Sequence, residues 1–512
     1  MLLLVSLPQE AHQGLERACA NAGNTVLMLT FNLDLIAVTY YAYYELKARG
    51  TLSLVSLDPE SETMRDPLIF IAPALFILTS GWLLSQVFPL LLRIPDVMGS
   101  LLPGVSVYMS LRNLARHSGA YTAPIFLLTI CLCLGSFEAS IAKSADRWLV
   151  DRLRYQVGAD YSFTQTVETE GPEAGLGTMS WLLPPSDYER LPGVEAATRV
   201  GIYTAIPTIK AMPQMRIMGI DRLDFRRVVY WRSDYASESL GALLNKLGAQ
   251  PDGILVTRNF LDRVGLGVGD KLTMDISLEA GIARLPFTIV GTFDHFPTMY
   301  EDKAAVAVVN LEAIFEGIGG VEPHSIWLRT RPDIDPEQLR EQIKAMRVVT
   351  TNDMDSRTLI LEDRASLERV GIFGNLSAGF LACTLVAWLG LLVHTFASLA
   401  ERIRVFTITR AIGMSLRQVL AVVSLEYLIV TLYGVLGGAA AGVATSLIFV
   451  RYFQFTENPT MQMPPFVPEI ALTQIAWIIG AYLAVLLLAE GVVLLRAMRS
   501  KIFQALRMGD EE

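Results

Sequence analysis

Cysteine and histidine are scarce in this chain, four and five among 512 residues. Cys131, Cys133 and Cys383 fall inside long apolar runs and Cys19 lies near the N-terminus, so the charged middle of the chain has no cysteine and must fold without a disulfide. Cys131-Leu132-Cys133 is too tightly spaced and too deep in apolar sequence for a metal site, and reads as packing. With so few histidines and no H-E-x-x-H, a zinc enzyme is excluded as a working reading. Asp294 and His295 are neighbours, which suits neither a helical nor a strand metal face; they read as loop. No G-x-S-x-G and no G-x-x-x-x-G-K-[ST] occurs, so the sequence offers no esterase elbow and no P-loop for ATP. Gly265-Leu266-Gly267-Val268-Gly269-Asp270 follows a helical pattern and precedes a strand, the reverse of the phosphate-binding order, and reads as a turn. An excess of positive charge is also missing. At a formal net charge of −9 the chain has no reason to bind nucleic acid. No catalytic, cofactor or metal residue emerges.

Apolar sequence is what the chain has in quantity. It is 52% hydrophobic with only 18% charged residues, and its mean hydropathy is +0.40. That balance is too apolar for a soluble protein and too charged for one wholly in a bilayer, which implies membrane spans plus one sizeable soluble domain. Residues 1–24 open with an apolar stretch but carry no basic flank and no small-residue cleavage site, so no signal peptide is expected. Runs near the ~20 residues that cross a bilayer fall at about Thr25–Tyr44, Pro67–Leu92, Ala120–Ile141, Gly371–Ala397, Val419–Phe449 and Ile470–Leu495. Asn32 and Asp34 interrupt the first, and an acid in a span is expected to point into a bundle. Glu426, Glu490 and His394 lie near span ends, where snorkelling to the interface explains them as well as a proton path does. Tyr108–Arg116 has the pattern of an amphipathic helix lying along a membrane surface, and Ala142–Val157 continues the third span as a helical stalk.

Asp160–Glu368 has no span-length apolar run and alternates strand and helix patterns. Gly253–Val256, Lys271–Met274, Leu285–Val290, Ile326–Arg329 and Val348–Thr351 read as strands, and Arg258–Arg263 as a helix turn. Asp335-Pro336-Glu337-Gln338 reads as a cap, a first-turn proline and the opening of a helix. An α+β domain of two lobes is expected. Basic residues cluster at 93–118, 399–418 and 496–507, which places those segments inside the cell and the soluble domain outside.

The loop 399–418 is a charged connection between two apolar runs. Arg402, Arg404, Arg410 and Arg417 outnumber Glu401, while Val405, Ile408 and Ile412 recur at helical spacing. Gly413 offers a helix stop, and Ser415 with Gln418 has capping-box spacing for the next span. Glu401-Arg402, Arg410-Ala411-Ile412-Gly413-Met414 and Arg417-Gln418 resemble the signature of FtsX-like, MacB-type ABC permeases; where that signature has a second acid, this chain has Val405. Tyr108–Arg116 resembles the element preceding the family's first core span, and Leu191–Val194, Ile217–Ile220, Val256–Asp270 and Phe287–Gly291 resemble stretches of its periplasmic domain.

The resemblance implies a bundle of about six spans with a MacB-type extracytoplasmic domain in the plasma (inner) membrane. Its parts are two connecting spans (1–92), a cytoplasmic linker (93–119), a first core span and stalk (120–158), the outer domain (159–368) and three core spans (369–512). The connecting spans resemble those between the halves of ten-span members, which implies a C-terminal half. The loop carrying Glu401, Arg402, Val405, Phe406, Ile408, Arg410, Ile412 and Gly413 is then a coupling helix docking on a dimeric ABC ATPase. ATP belongs to that partner, and the chain itself is no enzyme. Further partners are membrane lipid and a second permease subunit or missing N-terminal half. Gly434, Gly438 and Gly442 strip one face of the fifth span, for packing inside the protomer or against a second subunit. The rival reading is a membrane-anchored sensor or binding module without an ATPase.

Overall fold

The computed structural model describes residues 30–48, 52–53, 67–98, 105–166, 182–208, 214–278, 281–301, 304–346, 348–366, 414–454 and 463–485, with short stretches inside 370–393 and 487–492. The chain divides into two compact units, one of residues 1–145, 371–457 and 466–512 and the other of residues 146–370 and 458–465.

The first unit is helical. Its described elements are α1 (30–48), α2 (Pro67–Met98), α3 (Val105–Arg116), the first part of α4 (Thr122–Val157) and α12 (Leu416–Phe449). Two short strands, β1 (Leu52–Ser53) and β11 (Phe453–Gln454), pair in parallel. Among the described residues, Ile71–Leu92, Ser118–Val157 and Ala421–Tyr452 are long and apolar enough to cross a bilayer; Ser377–Gly390 and Leu472–Val485 are shorter apolar helices. The helices meet through small and polar groups as well as apolar ones. Thr39 and Thr79 share a 2.7 Å hydroxyl contact, and Asn32 bonds both Gln86 and Trp82. A 3.6-residue period puts Asn32 and Thr39 on one face of α1 and turns Asp34 away from it. Asp34 is therefore exposed, and Asn32 is the polar residue that points into the bundle.

The second unit is built on a nine-stranded sheet in the order β10-β2-β9-β3-β4-β8-β5-β7-β6. These strands are β2 (Tyr161–Thr166), β3 (Val194–Pro207), β4 (Met215–Ile220), β5 (Gly253–Thr257), β6 (Lys271–Leu278), β7 (Gly281–Phe293), β8 (Ala305–Asn310), β9 (Ser325–Thr330) and β10 (Val349–Asp355). The long strand β3 pairs with three neighbours in turn along its length. Val194–Val200 pairs with β9, Val200–Ala205 with β4, and Thr204–Pro207 turns back onto β6. That last pairing closes β3, β4, β8, β5, β7 and β6 into a ring and leaves β10-β2-β9 as an open wing.

Period-two burial then sorts the residues. Met215, Ile217, Ile254, Val256, Ala307 and Val309 share one core, while Met218, Ile220, Leu255, Val306 and Val308 share another. The second of these cores receives Phe225 and Val228 of α6 (Phe225–Val228) and Leu240, Leu243 and Leu247 of α7 (Leu240–Ala249). A third core under the wing joins Tyr161, Phe163, Ile326 and Leu328 to Tyr188 of α5 (Pro185–Tyr188) and to Leu339 and Ile343 of α10 (Pro336–Ala345).

The local signals act as the residues dictate. Asp335 caps α10 by accepting from Glu337 N, with Pro336 in the first turn. Gly265 ends α8 (Arg258–Val264) at φ +70°, and Asp270 Oδ2 accepts from Gly267 N at 2.7 Å, so the glycine-rich stretch is a turn leading into β6.

Candidate functional site

Glu401, Arg402, Val405, Phe406, Ile408, Arg410, Ile412 and Gly413 lie outside the described residues, as do Glu490 and His394. Description resumes at the start of the following span. The Ser415 hydroxyl accepts from Gln418 N, and the Gln418 side chain accepts from Ser415 N at 2.9 Å. This reciprocal cap satisfies two otherwise orphaned N–H groups and fixes where α12 begins.

From that start α12 is gripped on two sides. On one side, α3 packs Leu111 and Leu114 into a cluster with Val423 and Tyr427, and Ser110 Oγ donates to Val422 O at 3.0 Å. Glu426 is buried here rather than at an interface, accepting from Asn113 Nδ2 and from Tyr121 OH at 3.0 Å each. Its carboxylate finds its partners inside the bundle, and the short glutamate side chain does not reach past them, which is why the expected snorkelling does not occur. Glu426 lies 313 residues from Asn113 and 305 from Tyr121, so no local pattern in the sequence could reveal this group.

On the other side, the glycine face of α12 meets the backbone of α4. A Cβ at Gly438 would stand 2.6 Å from Thr129 O, one at Gly442 2.5 Å from Cys133 O, and one at Gly434 2.9 Å from Leu128 Cβ. Glycine is the residue that allows two helix backbones this close. The face is thus filled inside the chain by its own first core helix.

In the second unit, α4 ends in a network of charges. Its last turn closes on Gly158, at φ +83°, where a Cβ would run into the Trp327 ring. Asp151, 4% exposed, accepts from Tyr230 OH at 2.6 Å and from Arg232 at 2.9 Å. Arg232 also holds Asp234 with two 2.6 Å bonds and donates to Pro465 O at 2.8 Å. Arg152 pairs with Asp363 and Asp146 with Arg364, both at 2.9 Å, tying α4 to α11 (Ser356–Arg364). Trp148 Nε1 donates to Pro464 O at 2.8 Å. Sequence patterns anticipate the stalk but not these partners, because Asp151 and Arg232 are 81 residues apart and no periodicity links them.

The electrostatics follow from this arrangement. Burial, and then the hydrogen bond to Asp151, push the Tyr230 hydroxyl up to about 12. For Asp234, burial opposes ionisation, but the Arg232 hydrogen bonds and charge outweigh it and hold the carboxyl below its usual range. Burial also lowers His295 and His324, disfavouring their protonated forms in the fold. An unfolded histidine binds protons more readily than these do, so their contribution to stability is complete above pH 6.5 and is lost as pH falls below it. The thermal midpoint of the purified protein is expected to fall between pH 7.5 and 5.5. Substituting His295 and His324 by glutamine should flatten that decline; an unchanged slope would contradict the assignment.

One unit has helices long and apolar enough to cross a bilayer and the other is built on a nine-stranded sheet, the class of a membrane protein with a large domain outside the spans. Two family models match it: "FtsX-like permease C-terminal" over residues 377–502 and "MacB-like periplasmic core domain" over residues 134–346. The chain belongs to the FtsX/MacB-type permease family, the membrane components of ABC-type transporters, which work with ABC ATPases. A comparison with curated proteins returns no match. Among solved structures it is similar to the periplasmic region of MacB from Actinobacillus actinomycetemcomitans, at 10% identity and TM-score 0.27, covering 41% of this chain and 95% of that one. It is also similar to the extracellular domain of the noncanonic ABC-type transporter YknZ from Gram-positive bacteria, at 10% identity and TM-score 0.24, covering 40% and 95%.

Proposed function

We propose that this permease converts ATP hydrolysis by a partner ATPase dimer into movement of its outer domain, for export, for extraction of lipoprotein or lipid, or for mechanical signalling alone. The protein has about six spans in the inner membrane, with 159–368 outside and 399–418 inside. It assembles with a second permease subunit or an N-terminal half. The observation that carries the reading is α4, a single helix from Thr122 to Val157. Near its start it lies against the glycine face of α12, whose capped beginning directly follows the coupling loop. At its end, Asp146, Asp151 and Arg152 are held by ion pairs to Arg364, Arg232 and Asp363. On this reading a shift of α12 is passed to α4, whose later residues are held by these ion pairs within the second unit.

The coupling loop supplies the test. Burying an Ile or Phe side chain in an ATPase cleft contributes roughly 1.5–3 kcal/mol, against about 0–1 kcal/mol for an exposed ion pair. Ile408→Asp or Phe406→Asp should therefore detach or uncouple the ATPase far more than Arg404→Gln does, with membrane insertion intact. Co-purification of the ATPase and its activity in the complex are the measurements. If neither acidic substitution weakens either one, the loop does not couple, and a sensor without an ATPase becomes the better account.

A further inference from the structure

The outer domain has a second feature that the force path does not use. A cleft of about 420 Å³ opens between Pro184-Pro185, β3 and the turn after β4, and is lined by Glu189, Arg199, Asp221, Asp224, Val321 and His324. His324 is 4% exposed. Its Nδ1 contacts the Glu322 carbonyl at 2.9 Å, and since a carbonyl only accepts, Nδ1 carries the hydrogen. Nε2 is left as a buried acceptor with no partner. Such an atom is costly to leave empty, because it has lost water and gained nothing. Nε of Arg199 is likewise a buried donor without a partner, although its NH2 group reaches Asp221 at 3.0 Å and Glu312 at 3.4 Å.

The charge around this acceptor is lopsided. Three carboxylates face one guanidinium across the lining, and Arg227, outside it, pairs with Glu189 at 3.5 Å and Asp224 at 3.7 Å. Burial, and then Asp221 and Glu189, raise the Asp224 carboxyl, the response expected where negative charge is in excess. Among the described residues no group of His, Cys, Asp and Glu could hold a metal ion. The ligand that fits is a cation bearing N–H donors on an apolar stem. Val321, 62% exposed, offers that stem an apolar wall, and lysine and arginine bury such stems while their heads seek acceptors. We propose that the cleft receives a lysine or arginine side chain from a peptide segment of a cargo or partner protein. Glu189, Asp224 and Nε2 of His324 take the cationic head, and Nε of Arg199 donates to a backbone carbonyl beside it.

The site stands apart from ATPase coupling, so it is tested on the full chain in detergent without ATPase or nucleotide. The probe is a fluorescently labelled, end-blocked Gly-Lys-Gly peptide, read by polarisation. Saturable binding is expected, and Nε-acetylation of the lysine should weaken it about tenfold or more, since it removes the charge. Asp224→Asn, at a half-exposed side chain that folding tolerates, should cost about the same factor, and Glu189→Gln should act in the same direction. Equal binding of the acetylated peptide, or no effect of either variant, overturns the proposal. So does binding of phosphatidylethanolamine vesicles that Asp224→Asn abolishes while the lysine peptide stays unbound, because the amine recognised would then be a lipid's.

Discussion

Gly438→Leu should yield a protein that inserts but melts far below the parent and elutes as aggregate. Even the first carbon of the new side chain stands 2.6 Å from Thr129 O and 2.9 Å from Leu132 Cβ. The first of these neighbours is backbone and cannot rotate away, so α4 and α12 must separate. Overpacking a tight interior costs about 1–3 kcal/mol, and a backbone neighbour places this site at the upper end or beyond. The loss is felt directly, because helices in lipid associate through packing rather than hydrophobic transfer. Gly437→Ala is the matched control on the same helix. Its new methyl would meet only Leu84, at 3.3 Å, a side-chain tip able to move. Gly480→Ala meets nothing within 4 Å and should be silent. Intrinsic-fluorescence melting of the three variants gives the order. If Gly438→Leu melts with Gly437→Ala, the contact between α12 and α4 is not what holds the bundle.

Elements whose signal is local could be read in the sequence. The Ser415–Gln418 cap, the Asp335-Pro336 start of α10 and the turn at Gly265 each depend on residues within a few positions, and all take the form their chemistry dictates. The strands were legible but short. Lys271–Met274 extends to Leu278, and Leu285–Val290 runs from Gly281 to Phe293, because hairpin pairing carries them past their apolar residues into Asp275 and Arg284. Closure of the ring was not legible, since it depends on the end of β3 reaching β6 some 70 residues on. The same limit applies to charge. Asp34 and Glu426 are both acids in apolar helices, and hydropathy treats them alike, yet one is exposed and the other is held by Asn113 and Tyr121. Helical phase separates them only when the neighbouring helix is known.

Arg232→Met should unfasten the end of α4. The buried Asp151 carboxylate would keep Tyr230 as its donor but lose its compensating charge, and Asp234 would lose both of its 2.6 Å bonds. Removing one partner of a buried pair costs about 3–5 kcal/mol, largely as the desolvation of the ion left behind. Arg232→Lys should recover only part of this. A single ammonium cannot present the planar fork that meets Asp151, Asp234 and the Pro465 carbonyl together. Asp151→Leu combined with Arg232→Met should restore more stability than lysine does, since the buried Asp151 carboxylate then goes with its cation and only the more exposed Asp234 is left unpaired. The double variant separates stability from transmission. It keeps a packed joint but lacks its charged clamp, so it should melt near the parent while ATPase activity no longer drives movement between labels on α4 and the outer domain. Acid gives a second check. Because the Arg232 bonds hold Asp234 low, that part of the clamp is complete above pH 3.8 and lost as pH falls below it. Arg232→Met should abolish that contribution. A melting loss under about 1 kcal/mol for Arg232→Met, the scale of an exposed ion pair, would show that the joint is held by its apolar contacts and that the charges are incidental to it.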